Sequence, residues 1–482
     1  MYNNSLITLL KSFTLKEIQD FRDFLISPYF NKKKSVIKLY DIIMNEYPDF
    51  NGESISKERI YAELFTGKAY NDSNLRVLIH NLNDLAKKFT AYRNFEENQF
   101  EFDFRQLTGL MSRRQFSQLD KMVKKLLSNI ETERIISDES NFLKYRLEYD
   151  YIFYLSESNF GIYEKFLDKA DFEKVFSYFS AYYYIRSMRL YINILNLKLI
   201  YNRTFKAEKF EKMVSAIDKS LFTVSPVIEI YYCIIKLFNR KNDEKYYLRI
   251  KEILGNIKSA LHRDDLVEIY VNLTNFCNRK ISAGYKLFEK EKFELYKEET
   301  ALKLYQVERQ MAPVYFKNVV ILALSLGEYN WIKEFIFKYK DELPKNSVEN
   351  VYNYCMALYE FDMKQFEKAL EYLSRIKYDE LYLKYDSKIL QIMIYYEMNS
   401  LEPLFSSMEA FRHFLLNNKL LPDIKKKLYL NFYKFFKKTI NFSLKNDRED
   451  LELLKAEITS CEVVFNKNWI VKKIDNLISK YS

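Results

Sequence analysis

An all-α chain, an α-solenoid of antiparallel helix pairs with a small helical N-terminal unit, is the fold that three observations predict. Only 7 Gly and 7 Pro occur in 482 residues. Sheets joined by tight hairpins need such residues at their turns, whereas helices on short polar links need few. Apolar residues recur at helical spacing along the chain, with no low-complexity tract, Ser/Gly linker or charge block between independent domains. Helix-pair units then recur at a near-constant period in the last third. With 48% apolar and 29% charged residues the chain can bury a large core and stay soluble. Helix content above ~70% is expected, against an ordinary one third.

The first elements are well punctuated. Thr14 and Glu17 have capping-box spacing, with Phe13 and Ile18 placed to staple over it, so a helix starts at Leu15. Ser27-Pro28 ends it, because a residue before Pro is pushed out of the helical region. A second helix is expected from about Lys33 to Tyr47, stopping before Pro48. After the link PDFNGES, Ser56 caps a short helix to Phe65 and Gly67 turns the chain. Asp72 is expected to cap a longer helix carrying the stripe Leu75, Leu78, Ile79, Leu82, Leu85 and Phe89. Residues 1–92 thus form a helical N-terminal unit. The segment NQFEFDFRQL alternates aromatic and polar residues but is assigned to helix from its helical flanks. Stripes follow at Leu119, Met122, Val123, Leu126 and Ile130, then at Phe142, Tyr145, Tyr149, Ile152 and Phe153. Residues 93–311 read as divergent helical pairs whose registers the pattern does not fix.

In the last third the segment from Tyr315 has Gly327 and Tyr329 at the turn between two helices and Pro344 after the second. The next segment repeats this plan with Ala357, Phe366 and Ala369, and a third places Leu401 in the Phe366 position. The offsets from Tyr329 to Phe366 and from Phe366 to Leu401 are 37 and 35 residues. Over residues 312–418 these units resemble tetratricopeptide repeats. The resemblance implies a right-handed superhelix with a concave partner-binding surface; no single unit carries the whole family pattern. Residues 419–482 are expected to close the stack, ending in a capping helix with Trp469, Ile470, Lys473, Ile474, Leu477 and Tyr481 on one side.

The charge and composition argue for little by themselves. A net charge of +10 from 76 basic and 66 acidic residues is mild. Abundant Lys, Phe, Tyr, Ile and Asn with scarce Gly and Pro is also what A/T-rich codons produce, so neither basicity nor the 17% aromatic content is taken as a functional signal. Cys233, Cys277, Cys355 and Cys461 lack zinc-ligand or redox-motif spacing and read as buried free thiols in a reducing compartment. No signal peptide is recognisable at the start, and the apolar segment from Phe176 to Tyr201 is broken by Arg186, Arg189 and Lys198. A cytoplasmic protein without membrane partners is expected.

Chemistry has no foothold in the pattern. His80, His262 and His413 fall on separate helices, and Asp264 and Asp265 are adjacent residues near a helix start, pointing apart. No Gly-rich phosphate loop or nucleophile elbow is present. No catalytic, cofactor-binding or metal residues are assigned, and no cofactor is expected. The basic-aromatic stretch Lys425 to Lys438 has Leu428, Phe432, Phe435 and Phe436 at helical spacing, so its rings are assigned to the core and its Lys residues to the wet side. The leading expectation is a non-enzymatic interaction or scaffold protein that holds an unknown protein or peptide in a helical-repeat groove.

Residues 56–92 support the alternative. This helix–turn–helix run resembles the helical part of the winged-helix domain of bacterial transcriptional activators that also carry tetratricopeptide-like helices. The resemblance implies that Ser73 to Tyr92 reads the major groove, with Arg76, His80, Asn83 and Lys87 on the face away from the Leu stripe as possible DNA contacts. The chain departs from that family in having helix where strands precede the motif and no Gly-bearing hairpin after it. A solvated face on an amphipathic helix is the preferred reading, and a DNA-binding regulator whose repeats act as a sensor is the alternative.

Overall fold

A computed structural model describes residues 5–50, 56–132, 136–156, 164, 167, 170–201, 204–239, 243–307, 310–377, 381–417, 421–445, 448–461 and 463–480. Helix makes up 81% of the structure, as expected. Among the described residues the one ribbon is two residues wide, Gln306–Val307 paired antiparallel with Gln310–Met311. The chain divides into two compact units, Met1–Tyr232 with Ser259–Leu261, and Cys233–Lys258 with His262–Ser482.

In the first unit, local signals set the helix ends. Thr14 Oγ1 accepts from Glu17 N at 3.2 Å while Thr14 N donates to Glu17 Oε2 at 2.7 Å, closing the capping box at the start of Leu15–Ile26. Ser27 is extended and stops that helix before Pro28. The second helix, Lys34–Met44, ends three residues earlier than expected, in turns that lead into Pro48. Ser56 caps Lys57–Leu64 as expected, and residues 51–55 of the preceding link lie outside the described residues. Asp72 is not the cap of the next helix, Asp72–Glu97. Asn71 is, accepting from Asn74 N at 3.0 Å, because Asp72 is engaged by Lys57 at 2.9 Å and Arg76 at 2.6 Å. The six predicted stripe residues of this helix are buried in one core with Leu6, Leu10, Phe21, Leu25, Leu39 and Ile60.

Gln99–Ser112 is helical, as assigned, and packs Phe104 and Leu107 against Leu119, Val123, Leu126 and Ile130 of Phe116–Thr132. The stripe assigned to Asp138–Ser156 needs correction. Leu147, Tyr154 and Leu155 are the buried apolar residues, whereas Phe142, Tyr145 and Ile152 are half-buried and Tyr149 and Phe153 are exposed. This helix is apolar on several sides, so periodicity alone does not say which side is covered. Its main neighbour is the 30-residue helix Phe172–Tyr201, which buries Val175, Ala181, Ile185, Met188, Ile192 and Leu195.

From Arg263–Ser282 onward the second unit is a succession of helices in which each packs on the next. Tyr329, Phe366 and Leu401 are each the first residue of the second helix of a pair: Pro313–Leu326 with Tyr329–Tyr339, Val348–Asp362 with Phe366–Ser374, and Leu381–Glu397 with Leu401–Asn417. The turns are alike in detail. Gly327, Lys364 and Asn399, each two residues before the second helix, are left-handed at φ 75°, 59° and 55°. In each, the amide one residue later donates to the carbonyl five residues before it: Glu328 to Ala323, Gln365 to Glu360, Ser400 to Tyr395. This is the Schellman closure of a helix end. Of these three turns, only that of Pro313–Leu326 with Tyr329–Tyr339 supplies the Gly that the conformation favours. In the first compact unit Arg114, two residues before Phe116, repeats the closure at φ 57° with Gln115 N bonded to Leu110 O, which marks a pair register that apolar spacing did not reveal.

Ala357 and Ala369 are fully buried in one cluster with Phe366 packed on it. Phe432, Phe435 and Phe436 are core residues, while Lys434 and Lys438 pair with Glu457 and Lys437 with Glu409 on the outside, as expected for that stretch; Leu428, expected in the core, is half-buried because it lines a groove. The last helix, Lys467–Ile478, buries Ile470 and Ile474 with Trp469 and Leu477 beside them; Tyr481 lies outside the described residues. Cys233, Cys277 and Cys355 are buried free thiols, and Cys461 is half-buried rather than buried. Among the described residues no helix is long and apolar enough to cross a membrane.

Candidate functional site

A well-formed concavity lies in the second unit. It is a groove of about 920 Å³, walled by Pro313–Leu326, Val348–Asp362, Leu381–Glu397 and Asp423–Lys445 and closed at one end by residues 465–469. The first three of these are the leading helices of the three pairs. A short turn places the second helix of each pair behind the first, which leaves the leading helices to share one lining.

The groove floor is a charged cluster built from all four walls. Lys317 Nζ meets Asp386 Oδ2 at 2.6 Å, and Tyr429 OH donates to Asp386 Oδ1 at 2.8 Å. Lys317 also stands over the Tyr354 ring at 5.9 Å. Asp386 and Tyr354 are buried. Burial first, and the Asp386 carboxylate second, hold the Tyr354 phenol well above its ordinary range, so it stays a neutral donor. The two partners of this buried carboxylate offset much of its desolvation cost, and removing either would leave that cost uncompensated. The cluster therefore fixes the relative placement of the four walls more than it stabilises them.

Above this floor the walls are apolar. Val314 and Ile321, seven residues apart on the first wall, are 64% and 43% exposed, and Leu358, Phe361, Met393, Leu428 and Phe465 continue the lining. The closed end is anchored from behind. Lys467 Nζ donates to the carbonyls of Thr459 at 2.6 Å and Cys461 at 3.0 Å, and Trp469 Nε1 donates to Glu397 Oε1 at 3.2 Å while its ring packs on Tyr396 and Phe436. The arrangement offers shape, apolar contact and a neutralised floor. It brings together no nucleophile with a base, and among the described residues no group of three or more His, Cys, Asp or Glu is placed to hold a metal ion.

Sequence reasoning placed Tyr329, Phe366 and Leu401 at equivalent helix starts but did not find this lining. Lys317 and Asp386 are the missed residues. The available signal was a charge inside each of two strongly apolar helices, Lys317 alone in FKNVVILALSL and Asp386 close to Lys388 in YDSKILQIMI, where a buried unpaired charge would be untenable.

The four DNA-contact candidates lie elsewhere, on Asp72–Glu97, where their spacing of four, three and four puts them along one side of the helix but only three of them reach solvent. Arg76, His80 and Lys87 are exposed. Arg76 pairs with Asp72 at 2.6 Å and His80 with Asp84 at 3.2 Å. Asn83 is buried, and its Oδ1 meets no donor among the described residues. It stands four residues after Ile79 and three before Ala86, both buried, so the apolar arc is wider than the six-residue stripe suggested. Helix continues through and beyond this segment, into Gln99–Ser112. His262 caps Arg263–Ser282, its Nδ1 accepting from Asp264 N at 3.3 Å, and His413 is exposed. Asp264 is exposed while Asp265 is buried, so the adjacent pair does point apart.

Comparison with known proteins finds no match: no family model, no curated protein and no solved structure is detectably similar to this chain.

Proposed function

We propose that the chain is a non-enzymatic scaffold of tetratricopeptide-like antiparallel helix pairs whose groove holds an apolar-faced helix or peptide of another protein. The observation that carries this reading is the exposure of Val314 and Ile321 on the groove wall, one heptad apart and above a floor whose charges are already paired. Two exposed aliphatic side chains at that spacing match the i, i+7 anchors of an amphipathic helix, and the neutral floor repels neither sign of charge. Four walls at about 10 Å between neighbouring helix axes give a lining about 30 Å long, enough for a helical segment of about 20 residues. A small-molecule site of this size would carry a few convergent polar groups with free hydrogen-bonding capacity, whereas Lys317 and Asp386 here are committed to each other.

The test is affinity capture from native lysate followed by mass spectrometry, run with the wild-type chain and with Ile321→Glu. Ile321 is exposed, so the substitution leaves the core intact and puts a charge in the lining. A specific protein captured by the wild type and lost with Ile321→Glu is the expected result. Copurification of a metabolite or nucleic acid with no specific protein, or capture that ignores Ile321→Glu, would overturn the reading.

A further inference from the structure

Surface helices turn polar residues to water; Phe172–Tyr201 does the reverse. From Phe176 to Leu197 its exposed residues are Phe176, Phe179, Tyr183, Arg186, Leu190, Asn193 and Leu197, and every other residue in that span is buried or half-buried. Phe172, one step earlier, is exposed as well. The spacings from Phe172 onward are four, three, four, three, four, three and four, an unbroken alternation over 26 residues. A seam at this 3.5-residue period is what a helix presents to another helix lying along it, since a stripe meant only for a globular core drifts with the 3.6-residue turn. The patch is widened by the neighbouring helix Asp138–Ser156. Tyr145 packs on Phe179 at 4.9 Å and on Tyr149 at 5.5 Å, and Tyr149 and the exposed Phe153 continue along the same side.

We propose that this face is a homodimer interface, occupied by the same helix of a second copy running antiparallel. The seam is its own complement when reversed. About a two-fold axis midway between Tyr183 and Arg186, Phe172 meets Leu197, Phe176 meets Asn193, Phe179 meets Leu190 and Tyr183 meets Arg186 of the second copy. Each aromatic ring then faces a smaller residue or, at the centre, a guanidinium suited to its π face. Arg186 reaches that position already oriented, because Asp138 and Glu139 of its own chain hold it from behind. Self-complementarity of one patch is the requirement of a closed two-fold dimer.

The area is sufficient. At about half exposure each, and about 200 Å² for a fully exposed aromatic side chain, the eight apolar residues offer about 700 Å² per copy. Two copies would bury about 1,400 Å², within the ~1,200–2,000 Å² of stable specific complexes. A lone chain would instead leave that area in water as one continuous patch, more than monomers ordinarily expose.

Light scattering on the full chain at tens of micromolar should give twice the chain mass. Leu190→Glu should return it to the monomer with helix content unchanged by circular dichroism, since Leu190 is exposed and its loss removes nothing from the core. The register is read by thiol crosslinking. Phe176→Cys and Asn193→Cys should each give little covalent dimer alone and much when mixed, because those two positions meet across the axis and neither meets itself. A monomeric wild type, a dimer indifferent to Leu190→Glu, or crosslinking by either single variant in preference to the mixture would overturn the proposal.

Discussion

Glu299 is a buried carboxyl whose charge the fold opposes, and replacing it with Gln gives a test with a defined sign. It lies on Leu287–Ala301, is 6% exposed, and among the described residues has Thr274 Oγ1, at 3.4 Å, and the Tyr315 hydroxyl as hydrogen-bonding support, with the Lys292 cation favouring its charge. Burial outweighs these and pushes its carboxyl up from 4.5 to about 7. In the unfolded chain the group ionises near 4.5, so the folded state holds its proton more tightly. Its contribution is complete below pH 4.5 and is lost as pH rises through about 7, because above that the fold must carry a desolvated carboxylate. A rise from 4.5 to about 7 corresponds to a loss of about 3 kcal/mol between those limits. Glu299→Gln keeps the shape and the hydrogen bonds and never ionises. It should match the wild type at pH 4.5 and exceed it by up to ~3 kcal/mol at pH 8. Urea unfolding followed by tryptophan fluorescence reads the correct unit, because both Trp residues, Trp331 and Trp469, lie in it and Trp331 packs on Phe293 of the same helix at 4.9 Å. Equal pH slopes for the two proteins, or a variant less stable at every pH, would refute this account of Glu299.

Four further outcomes follow, three from helix ends and one from the last helix. Gly327→Ala should cost about 1 kcal/mol purely through its backbone, because the added Cβ would come no closer than 3.9 Å to another atom while φ stays at 75°. Lys364→Gly at the matching turn should be neutral within about 0.5 kcal/mol, since relief of a left-handed Lys offsets the greater freedom of Gly in the unfolded chain; the same urea curves measure both, and a stability loss with Lys364→Gly as large as that with Gly327→Ala would contradict the shared turn. Thr14→Ala should remove the capping box and cost about 1 kcal/mol, seen as faster amide exchange across Leu15–Ile26. Deleting residues from Asn466 onward should cause aggregation by uncovering the core around Ile470 and Ile474, and a truncated chain as soluble and heat-stable as the full one would show that the last helix is not a cap.

Elements were legible where a local signal fixes the backbone. Thr14 with Glu17, Ser56, Pro28 and Gly327 each set a helix boundary through hydrogen bonds or dihedral limits that involve only near neighbours. Errors arise where two local signals compete. Asn71 and Asp72 both suit a cap, and the choice between them was made by Lys57, a residue on another helix. The repeat turns show the same limit. Gly327 announces its left-handed turn, while Lys364, Asn399 and Arg114 adopt that conformation because the surrounding helix pair requires it. Only the first of the four could be read from the sequence.

Periodicity says that a face is apolar, and it does not say what covers the face. The Leu stripe of Asp72–Glu97 and the aromatic stripe of Phe172–Tyr201 are equally regular, yet one is buried and the other is open. The difference lies in period and in the rest of the helix. Asp72–Glu97 has one apolar side, so burial of that side is unambiguous. Phe172–Tyr201 has two, and only one of them, bearing Ile185, Met188, Ile192 and Leu195, is buried. Codon bias accounts for the number of aromatic residues in this chain, but a bias in composition cannot place Phe176, Phe179 and Tyr183 on a strict alternation of three and four. The spacing, more than the abundance, carries the proposed dimer interface, and it becomes readable once the structure separates the covered stripe from the open one.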